Sequence, residues 1–246
     1  MMKKIRWIPA SLFLIVFMGP VLYVVVRSAE KVQYYELIVN NHSFFKYALK
    51  TIGYSLLSGA LSTVLALPAG YIFAKVRFRF RNILFFIYIL VMLLPFQATQ
   101  LSGYLMFRRL SLLDSPLALI LIMSFSPLPV FLLRQCLSSM PDDVSDAFSL
   151  ESRSVFKYLR YMVIPFAKPM LVTSFMLVFC STYGMVEQAK IYMPKNIEDY
   201  PLSAVLDYLP EEGYYAGCTV YLLPVLLIYL AIEKSMRKGM EYYRWN

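Results

Sequence analysis

Six stretches without a single Asp, Glu, Lys or Arg divide this chain: residues 7–26, 51–74, 82–107, 115–133, 169–186 and 213–232, each 18 to 26 residues long. An α-helix rises about 1.5 Å per residue and a bilayer's hydrocarbon core is about 30 Å thick, so each stretch is sized for one crossing. Barrel strands would alternate over about 10 residues, and these runs do not. Helices also satisfy their own backbone hydrogen bonds in lipid. The 18-residue run at 169–186 alone would also fit a buried core helix, but all six together do not. With 59% hydrophobic residues, against about half in soluble domains, the expected architecture is an all-α integral membrane protein of six transmembrane helices. It forms a single domain over residues 1–246, since the longest intervals between windows are residues 134–168 and 187–212. Lys3, Lys4 and Arg6 before the first run resemble a secretory leader, but its 20 apolar residues exceed the usual core of about 7–15, which predicts a retained first helix.

Charge then orients the chain. If both termini are cytoplasmic, the inner segments hold 16 of the 24 basic residues and 6 of the 15 acids. The inner side is therefore net basic and the outer side close to neutral, as lysine and arginine retention on the cytoplasmic side demands. The overall charge of +9 thus reads as a topology signal. A nucleic-acid footprint would instead cluster basic residues on one soluble face beside aromatic platforms, and no nucleic-acid partner is expected.

Several chemistries are poorly supplied. Cys136, Cys180 and Cys218 lack paired spacing, two of them inside predicted helices, which argues against a disulfide framework or metal site. His42 is the one histidine and cannot anchor a metal or acid-base constellation alone. No Gly-rich phosphate loop ending in Gly-Lys-Ser/Thr occurs, so ATP binding of that kind must come from elsewhere. No catalytic site or cofactor is expected on this chain.

Gly53, Ser55, Ser58, Gly59, Ala60, Ser62 and Thr63 concentrate small residues on the second helix, which predicts close approach of a neighbouring helix and burial of this face. Pro68, Pro95, Pro127, Pro129 and Pro224 fall inside windows and predict local bends.

The inner segment 134–168 is patterned unlike a plain connector. Ser138, Ser139, Met140, Pro141, Asp142 and Asp143 combine a Ser cap, an early Pro and acids at the positive end of a helix dipole. Beyond Glu151 and Ser152, the apolar Val155, Phe156, Leu159, Met162 and Val163 recur at helical spacing among Arg153, Lys157 and Arg160. This predicts a short surface helix, a turn and an amphipathic helix leading into the fifth crossing at Pro165. Such a knob fits a groove on a soluble partner, and periodicity alone equally allows a helix resting on lipid headgroups.

The residues at 140–169, MPDDVSDAFSLESRSVFKYLRYMVIPFAKP, resemble the coupling loop of ATP-driven, binding-protein-dependent importers. That loop carries Pro, then Glu-Ala-Ala, then Gly, then Leu-Pro. Pro141 stands five residues before Asp146-Ala147-Phe148, Ser152 falls at the Gly position, and Ile164-Pro165 closes the pattern. FLLRQ at 131–135 also fits. YSLLSGALSTVLALPAGYIFAKVRFRFRN at 54–82, LSLLDSPLALIL at 110–121 and LLPVLLIYLAIEKSMRKGM at 222–240 are similar to the carbohydrate-uptake branch, the maltose-type permease subunits. Roughly residues 45–240 take part. Asp146 keeps the charge of the family's Glu, while Phe148 for Ala and Ser152 for Gly change size and backbone freedom.

This resemblance implies a type I importer permease with cytoplasmic coupling helices, in the plasma (inner) membrane of a bacterial-type cell. It implies a second, homologous permease subunit, two ATP-binding subunits carrying ATP and Mg, and an extracytoplasmic solute-binding protein. Pro141, Asp146, Ala147, Phe148, Glu151, Ser152 and Phe156 are its ATPase-coupling residues. Polar Gln97, Gln100, Ser181, Thr182 and Tyr183 on helices three and five could line a substrate pathway or hydrogen-bond between helices. The outer segment 187–212 mixes six acids with Tyr192, Tyr200 and Tyr208, which suits either a docking surface or a solvated loop. Polyamine, anion and amino-acid importers share the loop pattern, so sugar or oligosaccharide cargo competes with these. A membrane scaffold without transport is the reading from another class.

Overall fold

The computed structural model describes residues 7–29, 33–39, 42–141 and 154–244, all as helix, turn or irregular chain. In order these are α1 (Trp7–Ala29), α2 (Gln33–Val39), α3 (His42–Lys75), α4 (Arg81–Met92), α5 (Phe96–Arg109), α6 (Pro116–Ser124) and α7 (Pro127–Ser138). After them come α8 (Val155–Tyr158), a π turn (Leu159–Val163), α9 (Ile164–Tyr183), α10 (Glu187–Tyr192), α11 (Leu202–Val205) and α12 (Glu211–Arg244). Single 3-10 turns at Ile197–Asp199 and Leu206–Tyr208 complete the segment between α9 and α12.

Four stretches are long and apolar enough to cross a bilayer: His42–Lys75, Pro116–Ser138, Phe156–Tyr183 and Gly213–Lys234. The third expected crossing is not one straight helix. It breaks between Met92 and Phe96, and α4 and α5 meet at 97°. Pro95 is the reason: it sits at the N-cap of α5 with extended backbone, where its missing donor and the restriction it places on Leu94 end one helix and start another. The first expected crossing is the 23-residue α1, whose side chains are described from Ile15 onward. Among the described residues the expected six crossings are thus four unbroken spans, one broken pair and α1.

α3 is the central helix, and α6, α7 and α9 pack along it. Thr51, Ser55, Ser58, Gly59, Ser62, Ala66 and Gly70 are its buried stripe, recurring every three or four residues as one helical face does. Of the small residues expected to be buried, Ser55, Ser58, Gly59 and Ser62 are; Ala60 is exposed and Gly53 and Thr63 half-buried, because they lie off that face. Close approach is greatest at two glycines. A Cβ on Gly59 would lie 3.0 Å from the ring of Phe175 on α9, and one on Gly70 would lie 2.8 Å from Cβ of Leu133 on α7. In lipid, where helices gain no hydrophobic attraction for each other, such contact is what holds a bundle together.

The prolines sort by position. Pro127 starts α7 and Pro95 starts α5, while Pro68 and Pro224 sit inside the uninterrupted α3 and α12. α6 opens on the Ser115 hydroxyl, which accepts from the Leu117 amide at 3.3 Å, with Pro116 at the first helical position. α4 is tied to α7 by the Arg134 guanidinium, 3.8 Å above the ring of Phe85, which stacks on Phe131.

Residues 187–208 are folded rather than a solvated loop. Ala189, Tyr192, Met193, Tyr200 and Ala204 join Tyr54, Phe107, Ala118 and Leu119 in one buried cluster, which caps the bundle at the end opposite α8.

Candidate functional site

At the other end of the bundle, Leu133, Leu137, Met140, Tyr158, Val163 and Ala167 form a second buried cluster. Tyr158 packs edge-on against Tyr71 of α3 with ring centroids 5.9 Å apart. Lys75 at the end of α3 donates to the Met140 carbonyl at 2.5 Å. The chain leaving α7 and the chain entering α8 are therefore held by the same core. Asp146, Ala147, Phe148, Glu151 and Ser152 lie outside the described residues. Pro141 is exposed, and so is Phe156, at 73%.

Local hydrogen bonds and one irregular turn shape both flanks of this segment. α7 runs on through Ser138, so the Ser138 and Ser139 hydroxyls donate to the Arg134 and Cys136 carbonyls, each at 2.7 Å. Both bonds reach back into the last turn of α7, and the helix expected to follow Pro141 lies outside the described residues. The amphipathic helix is present, but Phe156 is not on its inward face, although Leu159, Met162 and Val163 are. The π turn at Leu159–Val163 explains this. An i→i+5 turn carries one residue more than an α turn and rotates what precedes it by about 100°. The cap of α8 is Ser154, whose hydroxyl receives the Lys157 amide at 3.5 Å. Beyond the π turn the helix continues to Tyr183, giving a 28-residue span from Phe156.

The five pathway residues fall in different surroundings. Gln97, in the first turn of α5, donates to a Glu187 carboxylate oxygen at 3.2 Å, and Gln100 is half-buried. Ser181 is exposed and donates to Leu177 O at 2.9 Å. Thr182 is buried and donates to Val178 O at 2.9 Å. Tyr183, 2% exposed, donates to Tyr221 O on α12. The first turn of α5 thus meets the segment 187–208 through Glu187, while a cleft of about 580 Å³ lies along α5 among Ser102, Leu105, Met106, Arg109 and Leu110. That volume is of small-ligand size. None of the five expected residues lines it, and α5's mixed polar and apolar composition gave no period that singled it out.

The cap formed by residues 187–208 carries a polar clasp that sequence reasoning missed. Lys50 of α3 pairs with the Asp199 carboxylate and donates to Glu198 O at 2.6 Å. Asn196 donates to Asp199 at 2.8 Å and to Asp114 O at 3.2 Å, and the Lys195 amide reaches the Asp114 carboxylate at 2.8 Å. The Lys50 hydrogen bond, with help from Asn196, holds the Asp199 carboxyl below its ordinary range despite partial desolvation. Asp114 itself sits at φ 58, a left-handed conformation that Asp tolerates better than most residues. Tyr192 is fully buried between Phe96 and Phe107, its hydroxyl 2.6 Å from where a Cβ on Gly103 would be. Burial raises its pKa.

The sequence pattern of the family described as binding-protein-dependent transport system inner membrane component matches residues 66–241. A lactose transport system permease of Rhizobium radiobacter is 24% identical over 191 residues, 76% of this chain and 70% of that protein. An arabinooligosaccharides transport system permease of Bacillus subtilis is 24% identical over 212 residues, covering 84% and 75%. A trehalose transport system permease of Mycobacterium tuberculosis is 23% identical, covering 84% and 78%. Among solved structures, a chain of a bacterial ABC transporter importing the acidic polysaccharide alginate superposes with a TM-score of 0.81 at 20% identity, over 95% of both chains. A methionine ABC transporter in inward-facing conformations matches with a TM-score of 0.63 at 15% identity, over 80% of this chain and 95% of that one.

Proposed function

Because this chain belongs to the family of binding-protein-dependent transport system inner membrane components, we propose that it carries a sugar or oligosaccharide across the membrane by alternating access driven by partner ATPases. It is a permease subunit of an ABC importer; the cargo is inferred from the lactose, arabinooligosaccharide and trehalose permeases it resembles. The reading places a second homologous permease beside it, two ATP-binding subunits holding ATP and Mg on the cytoplasmic side, and a solute-binding protein outside. Both termini are cytoplasmic in this arrangement, as the basic residues favour.

The observation that carries the coupling step is the shared base of residues 134–168. Leu137 and Met140 on one side and Tyr158 and Val163 on the other belong to one buried cluster, so a push on the loop between them moves α7 and α8 together. The helix continuing from α8 spans 28 residues to Tyr183, about 42 Å at 1.5 Å per residue. It ends on α12 through Tyr183 and Tyr221. A displacement at the inner surface therefore reaches the outer half of the bundle through packed helices. ATP-driven closure of the motor biases the equilibrium between two packings, inward-open and outward-open. Pro141, Asp146, Ala147, Phe148, Glu151, Ser152 and Phe156 form the contact with the motor in this scheme, and Gln97, Gln100, Ser181, Thr182 and Tyr183 lie at or beside the pathway.

The test is purification of the chain from its native membrane, with identification of what accompanies it and assay of ATP hydrolysis as candidate oligosaccharides are added with the binding protein. An ATPase partner and ligand-stimulated hydrolysis are expected. A chain that purifies without any ATPase is a scaffold, and the proposal fails.

A further inference from the structure

Between α3 and α4 the chain turns through Arg77, Phe78, Arg79, Phe80 and Arg81. Three guanidinium groups within five residues are costly to assemble by mutual repulsion, and among the described residues none of the three has an ion-pair partner. The turn folds around a cleft of about 190 Å³ lined by residues 77–83. α4 starts at Arg81, with Phe80 at the N-cap giving no side-chain hydrogen bond and no acid in the first turn. The Asn82 and Ile83 amides, on the wall of this cleft, consequently have no helical acceptor. Arg81 donates to the Ala74 and Val76 carbonyls at 3.4 and 3.5 Å, which fixes the turn against the end of α3. Arg77 and Arg79 make no such bond and are exposed.

The surroundings select the anion. Phe78 and Phe80, 38% and 54% exposed, flank the arginines, and α4 continues with exposed Ile83, Leu84, Phe86 and Ile87. A water-soluble anion has no use for that apolar apron, whereas a molecule with a phosphate head and acyl tails matches both parts. Basic residues at the cytoplasmic boundary attract anionic lipid at about 1 kcal/mol each, and unfilled amides at a helix start favour phosphate.

We propose that the α3–α4 turn binds the phosphate headgroup of an anionic phospholipid of the cytoplasmic leaflet, with Arg77 and Arg79 closing on the phosphate, the first-turn amides of α4 beneath it and the acyl chains along α4. The leaflet assignment rests on the orientation proposed above, but binding itself does not.

Native mass spectrometry of the full chain, titrated with phosphatidylglycerol or phosphatidylcholine, tests it. The unaltered chain retains phosphatidylglycerol in preference, and Arg77→Gln/Arg79→Gln weakens that retention roughly 30-fold, about fivefold per arginine, without changing phosphatidylcholine. Arg108→Gln/Arg109→Gln, an equal charge loss at the end of α5, leaves it unchanged. Thermal unfolding establishes that the variants fold; should the double variant not, Arg79→Gln alone removes a side chain without a backbone bond. Equal loss in both double variants, unchanged retention in the first, or complete displacement by excess inorganic phosphate overturns the proposal. So does loss of a co-purifying ATPase from Arg77→Gln/Arg79→Gln with lipid retention intact, which would make the turn a protein contact. Failure of any ATPase to co-purify with the unaltered chain, with lipid retention as expected, counts against the transport reading and not against this site.

Discussion

The hydroxyl of Tyr183 donates to the Tyr221 carbonyl at 2.8 Å, and the hydroxyl of Tyr221 donates to the Tyr183 carbonyl at 2.6 Å, with the ring centroids 4.5 Å apart. The two bonds are not equivalent. Tyr183 is the last residue of α9, so its carbonyl has no acceptor role within the helix and depends on Tyr221. Tyr221 lies inside α12, where the Val225 amide is positioned to serve its carbonyl. Tyr221→Phe should therefore cost about 1–3 kcal/mol by leaving a buried carbonyl unpaired, and Tyr183→Phe about 0.5–1.5 kcal/mol. Thermal unfolding in one detergent checks this; equal effects would show that the helix end is served by another donor.

Gly70 and Gly53 sit on the same helix and predict opposite outcomes. An alanine at 70 places its Cβ 2.8 Å from Leu133 Cβ and 3.2 Å from the Arg134 amide nitrogen, while at 53 nothing lies within 4 Å. Gly70→Ala must push α3 and α7 apart and should destabilise by about 1–3 kcal/mol. Gly53→Ala gains helix propensity and should stabilise by about 0.5–1 kcal/mol. Midpoints of thermal unfolding for the two variants should move in opposite directions.

The clasp around Asp199 predicts an acid dependence. Lys50 and Asn196 hold the Asp199 carboxyl below its ordinary value of 3.8. A lowered folded-state pKa means the stabilisation is complete above 3.8 and disappears as pH falls through the folded value. At neutral pH it is fully present. The unaltered chain should lose thermal stability across that acid window more steeply than Asp199→Asn, which lacks the carboxylate and should be the less stable of the two at neutral pH. Parallel curves for the two proteins would remove Asp199 from the account.

The sequence made some of this plain and concealed the rest for identifiable reasons. Charge-free length located the spans, since lipid penalises charge wherever it falls, and small residues at helical spacing marked the buried stripe Ser55, Ser58, Gly59 and Ser62. Pro95 announced a bend, but its size, 97°, depends on how α5 meets the outer segment, which is a tertiary matter. The same holds for residues 187–208: their acids suggested solvation, yet Ala189, Tyr192, Met193 and Ala204 turn inward at short, irregular spacings that follow no single period. Phe156 was displaced from the inward face by a π turn, and no residue pattern distinguishes a π turn from an α turn. The pairing of Lys50 with Asp199 joins residues 149 apart, beyond the reach of any local rule.

Phe156 separates partner contact from packing. It is 73% exposed, whereas Tyr158, two residues on, is 7% exposed and lies against Tyr71. Phe156→Ala removes little that the chain itself uses, so its thermal stability should change by less than about 0.5 kcal/mol, while Tyr158→Ala should cost about 3–5 kcal/mol by emptying the core beneath the loop. If Phe156 is an anchor seated in a groove of the motor, its loss should weaken ATPase association by about 2 kcal/mol, as for a buried aromatic at an interface centre. Transport should fall accordingly. Ala147 completes the comparison: with Ala147 as a coupling residue, Ala147→Arg should insert and pair with the second permease yet transport nothing. Normal uptake by Ala147→Arg, or a Phe156→Ala chain that is unstable but still binds its ATPase fully, would place the contact with the motor elsewhere on the inner surface.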